Sequence, residues 1–195
     1  MCNDHDADAH LRETRLASEE VYRGRLLTVR RDQVRLPDGA QAFREYILHP
    51  GAVAIVPVLE NGDLLLERQF RYPVGQVFFE FPAGKRDPGE TAEAAARREL
   101  LEETGYAAGV WEHLGIIHPA IGYANEQIDI FLARALERVS APQLDAGEFL
   151  ETFPMSCAAL HAAIRSGAIT DAKTLSALYL AELRQKENPP ENKAD

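Results

Sequence analysis

The stretch from Gly84 to Tyr106 constrains this chain more than any other. It reads as a glycine-containing loop, one helix and a glycine stop. Gly84 and Gly89 suit unusual backbone angles, and Pro88 disfavours helix before it. Glu90 or Thr91 can cap a helix that Ala and Leu propagate, and Gly105 fits its C-terminal end. Ala92, Ala96 and Leu100 step by four, a narrow apolar stripe able to pack on a sheet. The other side carries Glu99, Glu102 and Glu103.

Those three glutamates break two local rules. Glu99 faces Glu102 and Glu103 at i,i+3 and i,i+4, where like charges cost roughly 0.2–0.5 kcal/mol per pair. They also crowd the C-terminal end, where the helix dipole disfavours negative charge. Arg98 offsets only part of this. A hard divalent cation is the natural partner, since Mg²⁺ takes carboxylates together with phosphate oxygens. Glu99 and Glu103 are the expected metal ligands, with Glu102 beside them as a further ligand or catalytic group. Arg98 is expected to orient Glu90 or a helix carboxylate. The alternative for the cluster is a solvated charged face.

The spacing as a whole decides between the two. Gly84, five residues, Glu90, seven residues, then Arg98-Glu99-Leu100-Leu101-Glu102-Glu103-Thr104-Gly105-Tyr106 resembles the Nudix box at every defined position. The resemblance implies a hydrolase of nucleoside diphosphates linked to another moiety. It also implies an α/β/α sandwich with a mixed sheet, and the backbone carbonyl of Ala83 as a further metal ligand. Mg²⁺ is the expected cofactor, with Mn²⁺ as a substitute.

Length and composition fit one such domain with a small appendage: 195 residues, 46% of them hydrophobic. A net charge of −10 without a basic stripe argues against nucleic-acid polymers and anionic membranes as partners. Cys2 and Cys157 are the only cysteines and show no metal-ligand spacing along the chain, so a reducing cytoplasm is expected. No apolar run reaches membrane length, and no signal peptide is apparent.

In chain order, residues 1–17 read as a polar tail. Residues 18–48 read as an antiparallel β piece turning at Pro37-Asp38-Gly39, too small to bury a core unaided. A Nudix domain is expected over 49–186, with a Pro-containing tail at 187–195. Ala52–Leu59 suits a buried strand, Glu60-Asn61-Gly62-Asp63 a hairpin turn, and Gln76–Phe81 an aromatic strand leading into Gly84. Strands are expected at 110–117, 128–134 and 149–153, and helices at 156–166 and 171–185. Trp111 and Met155 are assigned to packing.

Outside the box the resemblance narrows to the ADP-ribose pyrophosphatases. It rests on the β piece, Gln69-Phe70-Arg71-Tyr72-Pro73, Glu80-Phe81-Pro82-Ala83-Gly84, Gly147-Glu148-Phe149-Leu150-Glu151 and Gly167–Thr174. That subgroup places a proline at a set distance past the box; here Pro119 falls early and Gly122 stands nearer that place. The resemblance implies that Arg71 meets phosphate and that Glu80 lies near substrate. It also implies a homodimer that exchanges the β piece. Arg44 and Glu45 on that piece are candidates to reach a neighbouring subunit's substrate, and the alternative for Arg44 is an ordinary edge-strand charge. Glu148, after the loop Leu144–Gly147, is the expected carboxylate outside the box, as base or metal ligand. If residues 149–153 form a strand, Glu148 and Glu151 point to opposite faces. The expected reaction is hydrolysis of ADP-ribose to AMP and ribose 5-phosphate. Alternatives are another nucleoside-diphosphate sugar such as GDP-mannose, a dinucleotide, or a non-catalytic nucleotide sensor.

Overall fold

The structure is a computed structural model that describes residues 7–187. The chain divides into two units. One comprises residues up to His49 together with Ala120–Glu126, and the other Pro50–Pro119 with Gln127 onward.

The first unit is a three-stranded antiparallel sheet of β1 (Thr14–Arg23), β2 (Thr28–Arg35) and β3 (Gln41–Leu48), in that order. The Pro37–Gly39 turn joins β2 to β3, with Gly39 donating its N–H to the Leu36 carbonyl at 2.9 Å. A bridge from Ile47 to Ala124 ties the 120–126 segment to β3. Residues 1–17 were expected as a tail, yet a short 3-10 turn forms at Ala9–Leu11 and β1 opens at Thr14. Every residue of β1 is exposed, so no apolar alternation marks where it starts. Backbone pairing with β2 defines it instead. The parts of both expected tails at 1–6 and 188–195 lie outside the described residues.

The second unit is built on the buried strand β4 (Ala52–Pro57). Its sheet runs β7 (Ala83–Lys85), β4, β9 (Ile128–Arg138), β8 (Tyr106–Ile117), with β4 and β9 parallel and the other pairs antiparallel. A second sheet orders β10 (Leu150–Met155), β5 (Leu64–Arg71) and β6 (Gln76–Glu80), all antiparallel. Among the described residues three helices complete the unit: α1 (Ala92–Thr104), α2 (Cys157–Arg165) and α3 (Ala172–Glu187).

Alternation along β4 separates two cores, because successive strand side chains point to opposite faces. Ala52, Ala54 and Val56 pack with Leu160 of α2 and Ala177, Leu178 and Ala181 of α3. Val53 and Ile55 pack with Ala95, Ala96 and Leu100 of α1. A mixed sheet covered on both faces by helices is thus the α/β/α sandwich. Trp111 packs at the edge of the α1 core, edge-on to Phe131 at 6.2 Å, and Met155 packs at the other. β7 was not read from the sequence, since three residues, one of them a glycine, carry no period.

Candidate functional site

Helix α1 forms where its caps dictate. The Thr91 hydroxyl accepts from the Ala94 N–H at 3.2 Å, and Gly105 ends the helix with φ 75°. A side chain at Gly105 would also collide with the Ser140 carbonyl. With Ala95, Ala96 and Leu100 turned into the core, Glu99 and Glu103 are fixed towards β7.

β7 receives them closely. The Ala83 N–H donates to Glu103 Oε2 at 3.1 Å, and a Cβ at Gly84 would clash with the Glu99 carboxylate. Glycine at 84 is what lets that carboxylate lie on the strand. Glu103 is 2% exposed. Burial, then the charges of Glu67, Glu99 and Glu148, push its carboxyl up to about 10. Burial likewise raises Glu99, against the opposing pull of Arg98.

Arg98 organises the other flank. It donates to Glu90 Oε1 from Nε at 3.1 Å and to Glu90 Oε2 from Nη2 at 3.0 Å. Nη1 donates to Glu99 Oε1 at 2.8 Å and to Glu102 Oε2 at 3.0 Å, and Nη2 also reaches the Lys85 carbonyl at 2.9 Å. One guanidinium thus joins three carboxylates to the loop before the helix, a use of its rigid fork that lysine cannot reproduce. The Arg98 hydrogen bonds hold Glu90 below the usual carboxylate range.

Arg71 and Glu80 face each other. Nε and Nη2 of Arg71 donate to the two Glu80 oxygens, both at 2.7 Å. Lys173, at the start of α3, also pairs with Glu80 and lies 3.1 Å from Asp171. Burial raises Glu80, but Arg71 and Lys173 outweigh it and leave the group lowered. The Thr174 hydroxyl accepts the buried Phe81 N–H at 3.0 Å, bracing β6 against α3.

Glu67 was not anticipated. It lies on β5 directly opposite Glu80, is fully buried, and neither of its oxygens has a hydrogen-bond partner. Burial and then the Glu80 charge push it up to about 8. A buried carboxyl without partners is costly in either protonation state. Its sequence signal was a charge ending the apolar run Leu64-Leu65-Leu66. Lys173 was also missed as a site residue; Asp171-Ala172-Lys173 at a helix start is a common surface pattern.

Glu148 is among the charges that raise Glu67, Glu99 and Glu103. It does not sit on a strand: its N–H donates to the Asp145 carbonyl at 2.9 Å, Gly147 has φ 91°, and β10 starts at Leu150. The expected strand at 149–153 is therefore shifted, because the glycine turn holds residues 145–148 out of the ladder. Glu151, within β10, accepts from Arg68 Nε at 2.8 Å and is engaged away from the cluster. Arg44 and Glu45 belong to the first unit, where Arg44 Nε donates to Glu13 Oε2 at 2.9 Å. Tyr72 and Tyr123 are 87% and 62% exposed. Histidines also find acidic neighbours: His113 Nε2 lies 2.9 Å from Asp129 Oδ1, and His161 meets Glu182.

The donors present fit a hard divalent cation. Glu103 is repelled by Glu67 and Glu99, and these all-oxygen donors carry a repulsion that a cation would relieve. Arg98 supplies the only basic group that hydrogen-bonds Glu99 among the described residues.

Comparison with known proteins shows the family. The model of the NUDIX domain matches residues 48–178, and that of the nucleoside diphosphate sugar hydrolase N-terminal domain matches residues 13–47. The chain is 34% identical to an ADP-ribose pyrophosphatase of Bacillus subtilis over 90% of this chain and 95% of that one. It is 32% identical to a methanol dehydrogenase activator of Bacillus methanolicus, over 89% and 94%. A crystal structure of an ADP compounds hydrolase superposes with a TM-score of 0.81 at 29% identity, covering 92% of this chain and 97% of that one. With residues 48–178 matching the NUDIX domain and a relative 34% identical over 90% of this chain's length, the chain belongs to the Nudix family.

Proposed function

We propose that the protein is a divalent-cation-dependent pyrophosphatase that hydrolyses ADP-ribose to AMP and ribose 5-phosphate. The observation that carries this is the placing of two buried α1 carboxylates against β7, Glu103 on the Ala83 N–H and Glu99 on Gly84, in a fold that also holds the Arg71–Glu80 pair. The names of the B. subtilis relative and of the superposing hydrolase support the choice of substrate.

Bound at Glu99, Glu103 and the Ala83 carbonyl, Mg²⁺ would neutralise non-bridging phosphate oxygens and acidify a water. The chain supplies the rest. Arg98 holds Glu90, Glu99 and Glu102 in place, so the carboxylates need not reorganise during reaction. Arg71 offers a half-exposed guanidinium to a phosphate, while Glu80 and Lys173 fix its orientation. Glu148 takes the proton of the attacking water, whose oxygen forms a new bond to phosphorus as the bridging P–O bond breaks. Its loop, turned by Gly147, sets the reach of that carboxylate.

Hydrolysis of a panel of ADP-ribose, GDP-mannose, dinucleotides and nucleoside triphosphates tests the reading. At least a tenfold advantage in kcat/KM for ADP-ribose is expected, about 1.4 kcal/mol of differential transition-state binding. A preference for a guanosine sugar would replace the substrate and leave the chemistry. Absence of turnover on all of them would favour a sensing role, a reading in keeping with the relative named an activator.

The same reading includes a homodimer formed through residues 18–48, with Arg44 and Glu45 contributed to the partner's substrate. Its support is the wholly exposed β1 and the apolar side chains of Val21, Tyr22 and Phe43, 46%, 56% and 62% exposed. Sedimentation is expected to show a dimer at micromolar concentration, and a monomer there would refute it.

A further inference from the structure

Helices α2 and α3 bring together a second donor set of different chemistry from the glutamate cluster. Cys157 is the first residue of α2, His161 stands four residues on, and Glu182 reaches them from α3. One thiol, one imidazole nitrogen and one carboxylate oxygen lie within 4.8 Å of one another. The i,i+4 spacing puts thiol and imidazole on one helical face, and Glu182 already meets His161 Nε2. A cavity of about 120 Å³, walled by Cys157, Glu182, Leu178 and Gln185 among others, opens beside two of the three donors.

A His161–Glu182 hydrogen bond clamping two helices accounts for two of these residues. It leaves the thiol without a task. Cys157 does not cap α2, because the Ser156 hydroxyl already accepts the Ala159 N–H at 3.2 Å. Nor is the thiol in the apolar core; residue 157 is exposed.

We propose that Cys157, His161 and Glu182 form a binding site for a borderline-soft divalent cation of the zinc class, separate from the catalytic carboxylates. Thiolate with imidazole selects such an ion over Mg²⁺, which prefers oxygen throughout. Three protein ligands leave one tetrahedral position open, and the adjoining cavity has room for water or a small anion there. The cation would fasten α2 to α3, the helix whose first turn carries Lys173 and Thr174. The site stands whether or not the glutamate cluster hydrolyses ADP-ribose.

Titration of the metal-free full chain with Co²⁺ tests it. A thiolate-to-cobalt charge-transfer band is expected to saturate at one equivalent and to be displaced by Zn²⁺. Co²⁺ held by glutamates alone gives no such band. Cys157→Ser should abolish it and His161→Ala should weaken Co²⁺ binding at least tenfold, with Mg²⁺-supported turnover unchanged in both. With the glutamates first saturated by Mg²⁺, Zn²⁺ a hundredfold above its Kd should raise the parent's Tm by about 5 °C or more beyond any rise in Cys157→Ser. No band in the parent, or a band surviving Cys157→Ser and so belonging to Cys2, would overturn the proposal.

Discussion

Glu67 and Glu80 stand directly opposite each other on β5 and β6, yet only Glu80 is neutralised. Arg71 and Lys173 both pair with Glu80, while Glu67 is left buried with two unpartnered oxygens. Like charges across a ladder destabilise it, so the protein escapes only by protonating Glu67 or by bringing a cation near. The second route also serves Glu103, whose carboxyl is raised in part by Glu67. A bound cation therefore has work to do in this fold before any substrate arrives.

This fixes the sign of the pH dependence of the metal-free protein. Glu67 and Glu103 titrate near 4.5 when unfolded, but at about 8 and about 10 when folded. Between those values the folded state holds protons that the unfolded chain has released, so stability falls as pH rises. Thermal melts in a chelator should show Tm declining steadily from pH 5 to pH 8. Glu67→Gln should flatten that decline and raise Tm at pH 8 by about 2–4 °C, equivalent to about 1 kcal/mol. Melts of the variant running parallel to the parent across this range would show that Glu67 is not the source.

Turnover should depend on the α1 carboxylates far more than stability does. Glu99→Gln or Glu103→Gln is expected to lower kcat by orders of magnitude with Mg²⁺, while the metal-free protein melts at or slightly above the parental temperature. Glu99→Gln removes a charge from a repulsive group, and Glu103→Gln removes the cost of keeping a buried carboxyl protonated near neutral pH. Gly84→Ala approaches the same site from the strand. Its Cβ would displace the Glu99 carboxylate, the far end of a flexible side chain, rather than backbone. A large kcat loss with a small Tm change is expected. Near-parental activity in both glutamate variants would remove them from the metal set.

How much of this was legible depended on whether local pattern or tertiary pairing set the feature. The α1 caps, its glutamates and the role of Arg98 in reaching Glu90 follow from spacing along one helix, and all are written within 23 residues, Gly84 to Tyr106. β4 was legible because burial on both faces gives a continuous apolar run. β1 was not, since an exposed strand has no hydrophobic alternation. Glu67 and Lys173 were missed for a different reason. Their significance comes from Glu80, which the β5–β6 register and the start of α3 bring to them from 13 and 93 positions away along the chain. No period in the sequence marks such a meeting.

The last prediction separates Glu148 from Glu151, three positions apart. Glu148 lies on the glycine-turned loop and is felt electrostatically by Glu67, Glu99 and Glu103. Glu151 is on the β5–β10 ladder, opposite Arg68 and bonded to it at 2.8 Å. Glutamates that bind a cation are poor proton acceptors, so the proposed reaction benefits from a carboxylate outside α1 that takes the proton of the attacking water. Glu148→Gln should reduce kcat at least a hundredfold with little change in KM, as expected for a group acting in the transition state. Glu151→Gln removes a half-exposed ion pair, worth about 0–1 kcal/mol, and should leave kcat within about twofold. Steady-state kinetics on both variants, with far-UV circular dichroism to establish folding, decides the matter. A silent Glu148→Gln beside an inactive Glu151→Gln would move the base from the loop to the strand.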